Sequence, residues 1–132
     1  MSKNISKPLL TQTWPVGAGG VTKNTYVKLS GGKVVTCGNG ERAAGIAMET
    51  ALVNEDAVIM HLGIFPVKCG SGAVAEGEPV QVAALGLVEG MDAAAQATAQ
   101  EFAGYAFEAR VATSELISVF FPGPWYVGNP AP

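Results

Sequence analysis

His61 is the chain's single histidine, and with Cys37 and Cys69 it is the side chain best suited to act as a base, nucleophile or soft metal ligand. A hydrolase needs a nucleophile with a base beside it. Here the imidazole lies in Val58-Ile59-Met60-His61-Leu62, a strand-like run whose alternation puts it on the same face as Ile59. That setting suits a structurally bonded histidine better than a general base. The nearest serine motif, Cys69-Gly70-Ser71-Gly72, lacks the leading glycine of a nucleophile elbow and opens no helix. Cys37, His61 and Cys69 have none of the close ligand pairs of zinc sites. Glu76 and Glu78 flank Gly77 and share one side of a strand end, but next to Pro79 they read as a turn, and Asn54-Glu55-Asp56 reads as a solvated acidic loop. Gly17-Ala18-Gly19-Gly20 lacks the third glycine and following helix of a dinucleotide fingerprint. Gly31-Gly32-Lys33 is followed by Val34 where a Walker loop needs Ser or Thr. No catalytic residue, metal site or cofactor is therefore expected, and function must lie in binding.

Composition points the same way. The 132 residues suffice for one domain and one core. Charged residues make up 14%, against roughly 25% in an average soluble protein, while 48% are hydrophobic and the mean hydropathy is +0.28. No run approaches the ~18 apolar residues of a membrane span, and the chain is too apolar and too weakly charged, at −3, for disorder. A pI near 5.0 with eight Lys and Arg lacks the clustered positive charge that phosphate neutralisation requires, so neither nucleic acid nor membrane is an expected partner. Low charge without a membrane segment predicts a surface largely covered by protein partners. Residues 1–10 carry Lys3 and Lys7 but no signal-peptide core, so synthesis in a reducing cytoplasm and free thiols at Cys37 and Cys69 are expected.

Glycine and proline punctuate the chain every eight to twelve residues or so, a spacing typical of an all-β barrel or sandwich. Strands are expected at 25–29, 33–36, 44–49, 57–62, 64–68, 79–82, 87–89, 104–108 and 116–121. Ser30-Gly31-Gly32 is expected to make a tight hairpin, with Gly38-Asn39-Gly40 and Gly70-Ser71-Gly72 doing the same work later. The alanine-rich stretch within 91–102 reads as a short surface helix or an ordered loop. Alternation predicts a core of Val27, Leu29, Val35, Ile46, Val58, Met60, Val80, Val82, Val119 and Phe121.

An internal pseudo-repeat accompanies these strands. Ala44-Gly45-Ile46-Ala47-Met48-Glu49 recurs as Ala103-Gly104-Tyr105-Ala106-Phe107-Glu108, and a gapless continuation sets Glu55-Asp56-Ala57-Val58 against Ser114-Glu115-Leu116-Ile117. Two hairpins of like composition would give a similar match. The favoured reading is a duplication in which each copy buries the other.

The ends differ from the middle. Residues 1–20 read as an extended arm, 21–121 as the core and 122–132 as a Pro/Gly/aromatic tail. Proline removes backbone donors and limits entropy, which suits segments lying along another protein. In the alternative, Trp14 and Trp125 fold back to plug the ends of the core; either way such large apolar rings need cover.

Two patterns carry a likeness to a known family. The first is Leu29-Ser30-Gly31-Gly32-Lys33-Val34-Val35 followed by Ala44-Gly45-Ile46-Ala47-Met48. The second is Gly63-Ile64-Phe65-Pro66-Val67-Lys68-Cys69-Gly70-Ser71-Gly72 running on to Glu78-Pro79-Val80, then Ala103-Gly104-Tyr105-Ala106 and the closing apolar strand. Over roughly residues 15–121 this order resembles the small capsid cement or decoration proteins of tailed bacteriophages. The resemblance implies a β core on the outer surface of the head, commonly a homotrimer, tying neighbouring major capsid protein subunits together after the shell expands. It carries over no catalytic residues. On that reading Ile5, Pro8, Leu9, Leu10 and Trp14 would contact the capsid, and Trp125 and Tyr126 would form a subunit-interface tail. The chain departs from a typical member in its longer aromatic tail and in the stretch 93–99. Another virion part, such as a tail or fibre subdomain, is the neighbouring alternative. The glycine rhythm at Gly72-Ala73-Val74-Ala75-Glu76-Gly77 also resembles lipoyl and biotinyl carrier modules, though Lys33 and Lys68 lack the flanking Met or Asp of a carrier lysine.

Overall fold

The computed structural model describes residues 5–91, 102–109 and 115–123. Among the described residues nine strands follow one another: β1 (Lys7–Pro15), β2 (Tyr26–Ser30), β3 (Lys33–Thr36), β4 (Gly45–Ala47), β5 (Asp56–Lys68), β6 (Val80–Val82), β7 (Val88–Gly90), β8 (Tyr105–Ala106) and β9 (Leu116–Phe121). Seven form one antiparallel sheet in the order β3-β2-β4-β5-β9-β8, with β1 also paired to β5, while β6 and β7 form a separate ladder. The chain is all-β, as its punctuation predicts. No ladder among the described residues closes the sheet into a barrel; Val16 and Val34 meet only in an isolated parallel bridge. The alanine-rich stretch 93–99, Trp125 and Tyr126 lie outside the described residues.

Local chemistry accounts for the turns. Ser30 pairs with Lys33 across Gly31 and Gly32, whose φ angles of +59° and +80° give the two-residue hairpin turn that matches strand twist. The other two glycine triplets do not make tight hairpins. β3 and β4 both pair with β2 and not with each other, and the chain after β5 crosses to the β6–β7 ladder. The expected break between residues 62 and 64 is also absent, because β5 runs unbroken for 13 residues through Gly63. Of the arm expected at residues 1–20, residues 7–15 are a strand of the sheet, paired along β5 from Asp56 to Ile64.

The hydrogen bonds reveal a duplication far more extensive than the sequence match. Asn24 N–H donates to Ala47 O, and Gly77 N–H to Ala106 O. Ala44 N–H donates to Val27 O, and Ala103 N–H to Val80 O. Val58 N–H reaches the Glu49 carboxylate at 3.0 Å, and Ser118 N–H the Glu108 carboxylate at 2.9 Å. The parallel bridge Val16–Val34 recurs as Cys69–Val88. Val16 N–H donates to Glu55 O and Cys69 N–H to Glu115 O, so Glu55 matches Glu115, one residue off the gapless expectation. The first copy therefore comprises β1 to β4 and the start of β5, and the second comprises the rest of β5 with β6 to β9. The long strand is shared by both.

Each copy encloses a set of apolar residues. Val16, Val21, Val27, Val34, Ala47, Ala57 and Ile59 form the smaller core, with Trp14 packed against it. The larger core holds Val67, Cys69, Val80, Val88, Ala106, Ile117 and Val119, together with Tyr26, Ile46 and Met60 from the opposite face of the first copy. Neighbouring residues on one strand thus enter different cores, as with Tyr26 and Val27, Ile46 and Ala47, and Ile59 and Met60. Seven of the ten expected core residues are buried. Leu29 is 47% exposed near the hairpin tip, and Val35 and Val58 are half-buried because their neighbours Val34, Ala57 and Ile59 take the inward positions. The first copy's outer face, at Tyr26, Ile46 and Met60, lies against the inner residues of the second copy, whose own matching face carries Tyr105 at 46% exposure.

Gly63 has φ +134°, and a Cβ there would lie 2.5 Å from Lys7 O and 2.8 Å from Leu9 N. Gly63→Ala combines a disfavoured backbone with a collision against β1, each strained feature costing about 1–3 kcal/mol. The expected loss is about 3 kcal/mol in chemical denaturation, against little change for Ser30→Ala at the exposed hairpin.

Candidate functional site

The only histidine is a structural clasp. β1 and β5 carry compensating irregularities: Pro8 pairs with Gly63, Leu10 with Leu62 and Thr11 with Met60, so Leu9 is the extra residue on one strand and His61 on the other. Such bulges re-aim side chains. Leu9 is thrown outward and is 71% exposed, with Leu10 beside it at 42%. His61 is buried, its Nδ1 2.8 Å from Ala44 O and its Nε2 accepting from Trp14 Nε1–H at 2.8 Å. The indole meets the imidazole edge-on at 6.1 Å between ring centroids. Nε2 accepts, so Nδ1 carries the proton donated to Ala44, and both ring nitrogens are committed.

Of the residues expected to contact a partner, Trp14 is therefore tied into the fold and half-buried. Ile5 is half-buried, its N–H donating to Ser118 Oγ at 2.6 Å across the second copy. Pro8, Leu9 and Leu10 are exposed on a strand held along β5. Proline and apolar content suggested anchors but could not assign them, because the bulge decides which side chains leave the sheet. Leu52 and Leu85, exposed at turns, were not singled out by the sequence; Leu85 has φ +62°, and no simple pattern marks it.

The remaining reactive groups are quiet. Cys37 and Cys69 are buried and form no disulfide with each other, and burial pushes the Cys37 thiol up to about 12, with the Glu41 carboxylate adding to it. Burial likewise drives the Tyr26 phenol far above its usual value, and its hydroxyl donates to Ala103 O at 3.0 Å. Glu41 pairs with Lys28 at 2.5 Å, a bond that holds its carboxyl below the usual range, at an exposed rim where it contributes little stability. Among the described residues no three His, Cys, Asp or Glu side chains gather as metal ligands, and no helix is long and apolar enough to cross a membrane.

Two expectations follow. Trp14→Phe keeps most of the ring packing but leaves His61 Nε2 without its donor in a buried site, costing about 1–3 kcal/mol by equilibrium unfolding. Alkaline pH should also weaken the fold. The unfolded Cys37 thiol ionises from its ordinary 9.0 while the folded one stays protonated to about 12, so the unfolded state loses protons first and stability falls as pH rises through that window. Cys37→Ala should flatten the decline in midpoint above pH 9; an unchanged slope would count against this assignment.

No curated protein matches the chain. Among solved structures, it is similar to the head fibre gp8.5 N base of bacteriophage phi29, with a TM-score of 0.67 and 13% identity over 89% of this chain and 98% of that one. That likeness speaks to the fold. The model of the phage cement protein family matches residues 11–120, from β1 nearly to the end of β9, and the chain belongs to that family.

Proposed function

We propose that this chain is a capsid cement protein that binds the outer surface of a bacteriophage head, as a homotrimer, and ties neighbouring major capsid protein subunits together. Family membership makes it a phage structural protein, and the observation that carries the finer reading is the outward Leu9-Leu10 pair on a firmly paired strand. Two adjacent exposed leucines are a liability in a free molecule and a contact in a bound one. A protein that binds the assembled shell and not its free subunits stabilises the shell by mass action, and symmetric repetition of weak contacts multiplies the effect. The chain works on this reading without catalysis or cofactor, and His61 serves the fold.

The fold likeness to a head fibre base favours a second reading, in which the chain is the foot of a fibre present in few copies. Quantitative mass spectrometry of purified particles separates the two. A simple lattice ratio to the most abundant shell protein supports cement, and a handful of copies per particle supports the fibre base.

Deleting residues 2–13 would remove most of β1 and strip β5 of its partner, so point substitutions make the sharper test of the contact surface. Leu9→Ser with Leu10→Ser should reduce binding to expanded shells lacking the chain by at least about tenfold, since burying one leucine contributes about 1.5–3 kcal/mol. The melting midpoint should stay near that of the parent. Full binding by the double variant would exclude this strand as the capsid contact.

A further inference from the structure

The two copies meet at an internal interface with two sides, and the repeat supplies each side a second time. On the first copy the contact face is Tyr26, Cys37, Ala43, Ile46 and Met60, all buried in the larger core. Matching backbone bonds set these against Pro79, Met91, Phe102, Tyr105 and Phe120. Cys37 N–H donates to Tyr26 O as Met91 N–H donates to Pro79 O, and Ile46 pairs with Met60 as Tyr105 pairs with Phe120. In the second copy this face lies at the surface. Pro79 is exposed, Tyr105 is 46% exposed, and Met91, Phe102 and Phe120 are half-buried.

The second copy receives the first copy's face on Phe65, Val67 and Val82. Register places their counterparts at Gln12, Trp14 and Leu29. Gln12 pairs with Ile59 and Trp14 with Ala57, as Phe65 pairs with Val119 and Val67 with Ile117. Leu29 pairs with Val34 as Val82 pairs with Val88. Val67 and Val82 are fully buried, whereas Leu29 is 47% exposed, Gln12 is exposed and Trp14 is half-buried. The second copy therefore displays another example of the face, and the first copy another example of the surface that receives it.

We propose that the face at Tyr105 and Phe120 of one chain packs on the surface at Gln12, Trp14 and Leu29 of a second copy of this chain, repeating between molecules the contact that joins the two copies within one. The contact specifies the subunit interface of the homotrimer in the reading above, on which it rests. It is head-to-tail, and repetition of such a contact closes a ring when its rotation divides a full turn. The occupant is a second copy because the receiving surface is one this chain already carries, on matching strands in matching register. Two bonds of the internal contact are lost between molecules. Lys68 N–H donates to Asn24 O at 2.9 Å, and Asn24 Nδ2 to Pro66 O at 2.8 Å. Pro15 stands in Lys68's place without an N–H, and Gly77 in Asn24's without a side chain. Apolar contact must therefore supply the attachment, which makes association between chains reversible on dilution. These residues are separate from the outward Leu9-Leu10 pair.

Sedimentation velocity of the full-length chain, Tyr105→Lys and Leu29→Lys over a range of protein concentrations tests this. The parent should associate as concentration rises. Each variant should lose about tenfold or more in association constant, since a charged side chain replaces an apolar one in the contact. An equimolar mixture of the two variants should form one-to-one dimers and nothing larger, because only the intact face of Leu29→Lys can meet the intact surface of Tyr105→Lys. A parent that stays monomeric, as it would if a segment of the same chain covered the Tyr105 face, overturns the proposal together with the homotrimer. Undiminished association in either variant, or a mixture that associates no better than its components, overturns the head-to-tail surfaces and leaves the homotrimer standing. Circular dichroism melting of both variants guards against mistaking unfolding for dissociation, and Tyr105→Phe, which keeps the ring, should associate like the parent.

Discussion

Everything in this fold hangs on one strand being shared. β5 closes the first copy with its early residues and opens the second with its later ones, and Gly63 is the hinge between the two duties. At residues 63 and 64 the strand has β1 on one edge and β9 on the other, which brings three backbones together where the chain must also change register. A side chain has no room there, since Lys7, Pro8 and Leu9 supply backbone atoms within contact of any Cβ. Only glycine satisfies both the positive φ and the close approach. The two cores therefore stand in a fixed relation, and a surface residue on β1 is positioned as firmly as one in the interior.

Sharing a strand also explains the unusual composition. A sheet with one buried face alternates apolar and polar residues, but β2, β4 and β5 are buried on both faces and need apolar side chains at consecutive positions. That requirement absorbs much of the hydrophobic excess that composition alone would assign to partner surfaces. Among the described residues, the large apolar side chains left exposed sit on the bulge at Leu9 and Leu10, near the hairpin tip at Leu29, around turns at Leu52, Val53 and Leu85, and in the second copy at Tyr105 and Phe107.

The histidine shows how a residue with chemical potential becomes structural. Its alignment with Ile59 was legible in the sequence, and so was the absence of a nucleophile motif near it. Its partner was not, because Trp14 lies 47 residues away and meets it only through strand pairing. The same holds for the candidate contact residues. Proline and leucine content marked the N-terminal stretch as extended and apolar, but a bulge of one residue sent Leu9 out and His61 in, and no local pattern encodes which of two strands will carry the extra residue.

The sequence by itself determined the all-β class, the two-glycine hairpin at Gly31-Gly32, and the repeat at Ala44-Gly45 and Ala103-Gly104, because these depend on backbone freedom and on side-chain size at short range. The tertiary structure decided the rest. It extended the repeat to strands such as β2 and β6 whose side chains have diverged, since hydrogen bonds between backbones persist when the residues carrying them change. It joined two expected strands into β5, drew the expected arm into the sheet, and chose Val34 and Ile59 over Val35 and Val58 for the core. Each of those outcomes turns on which strand lies beside which, and that is settled by contacts between residues dozens of positions apart.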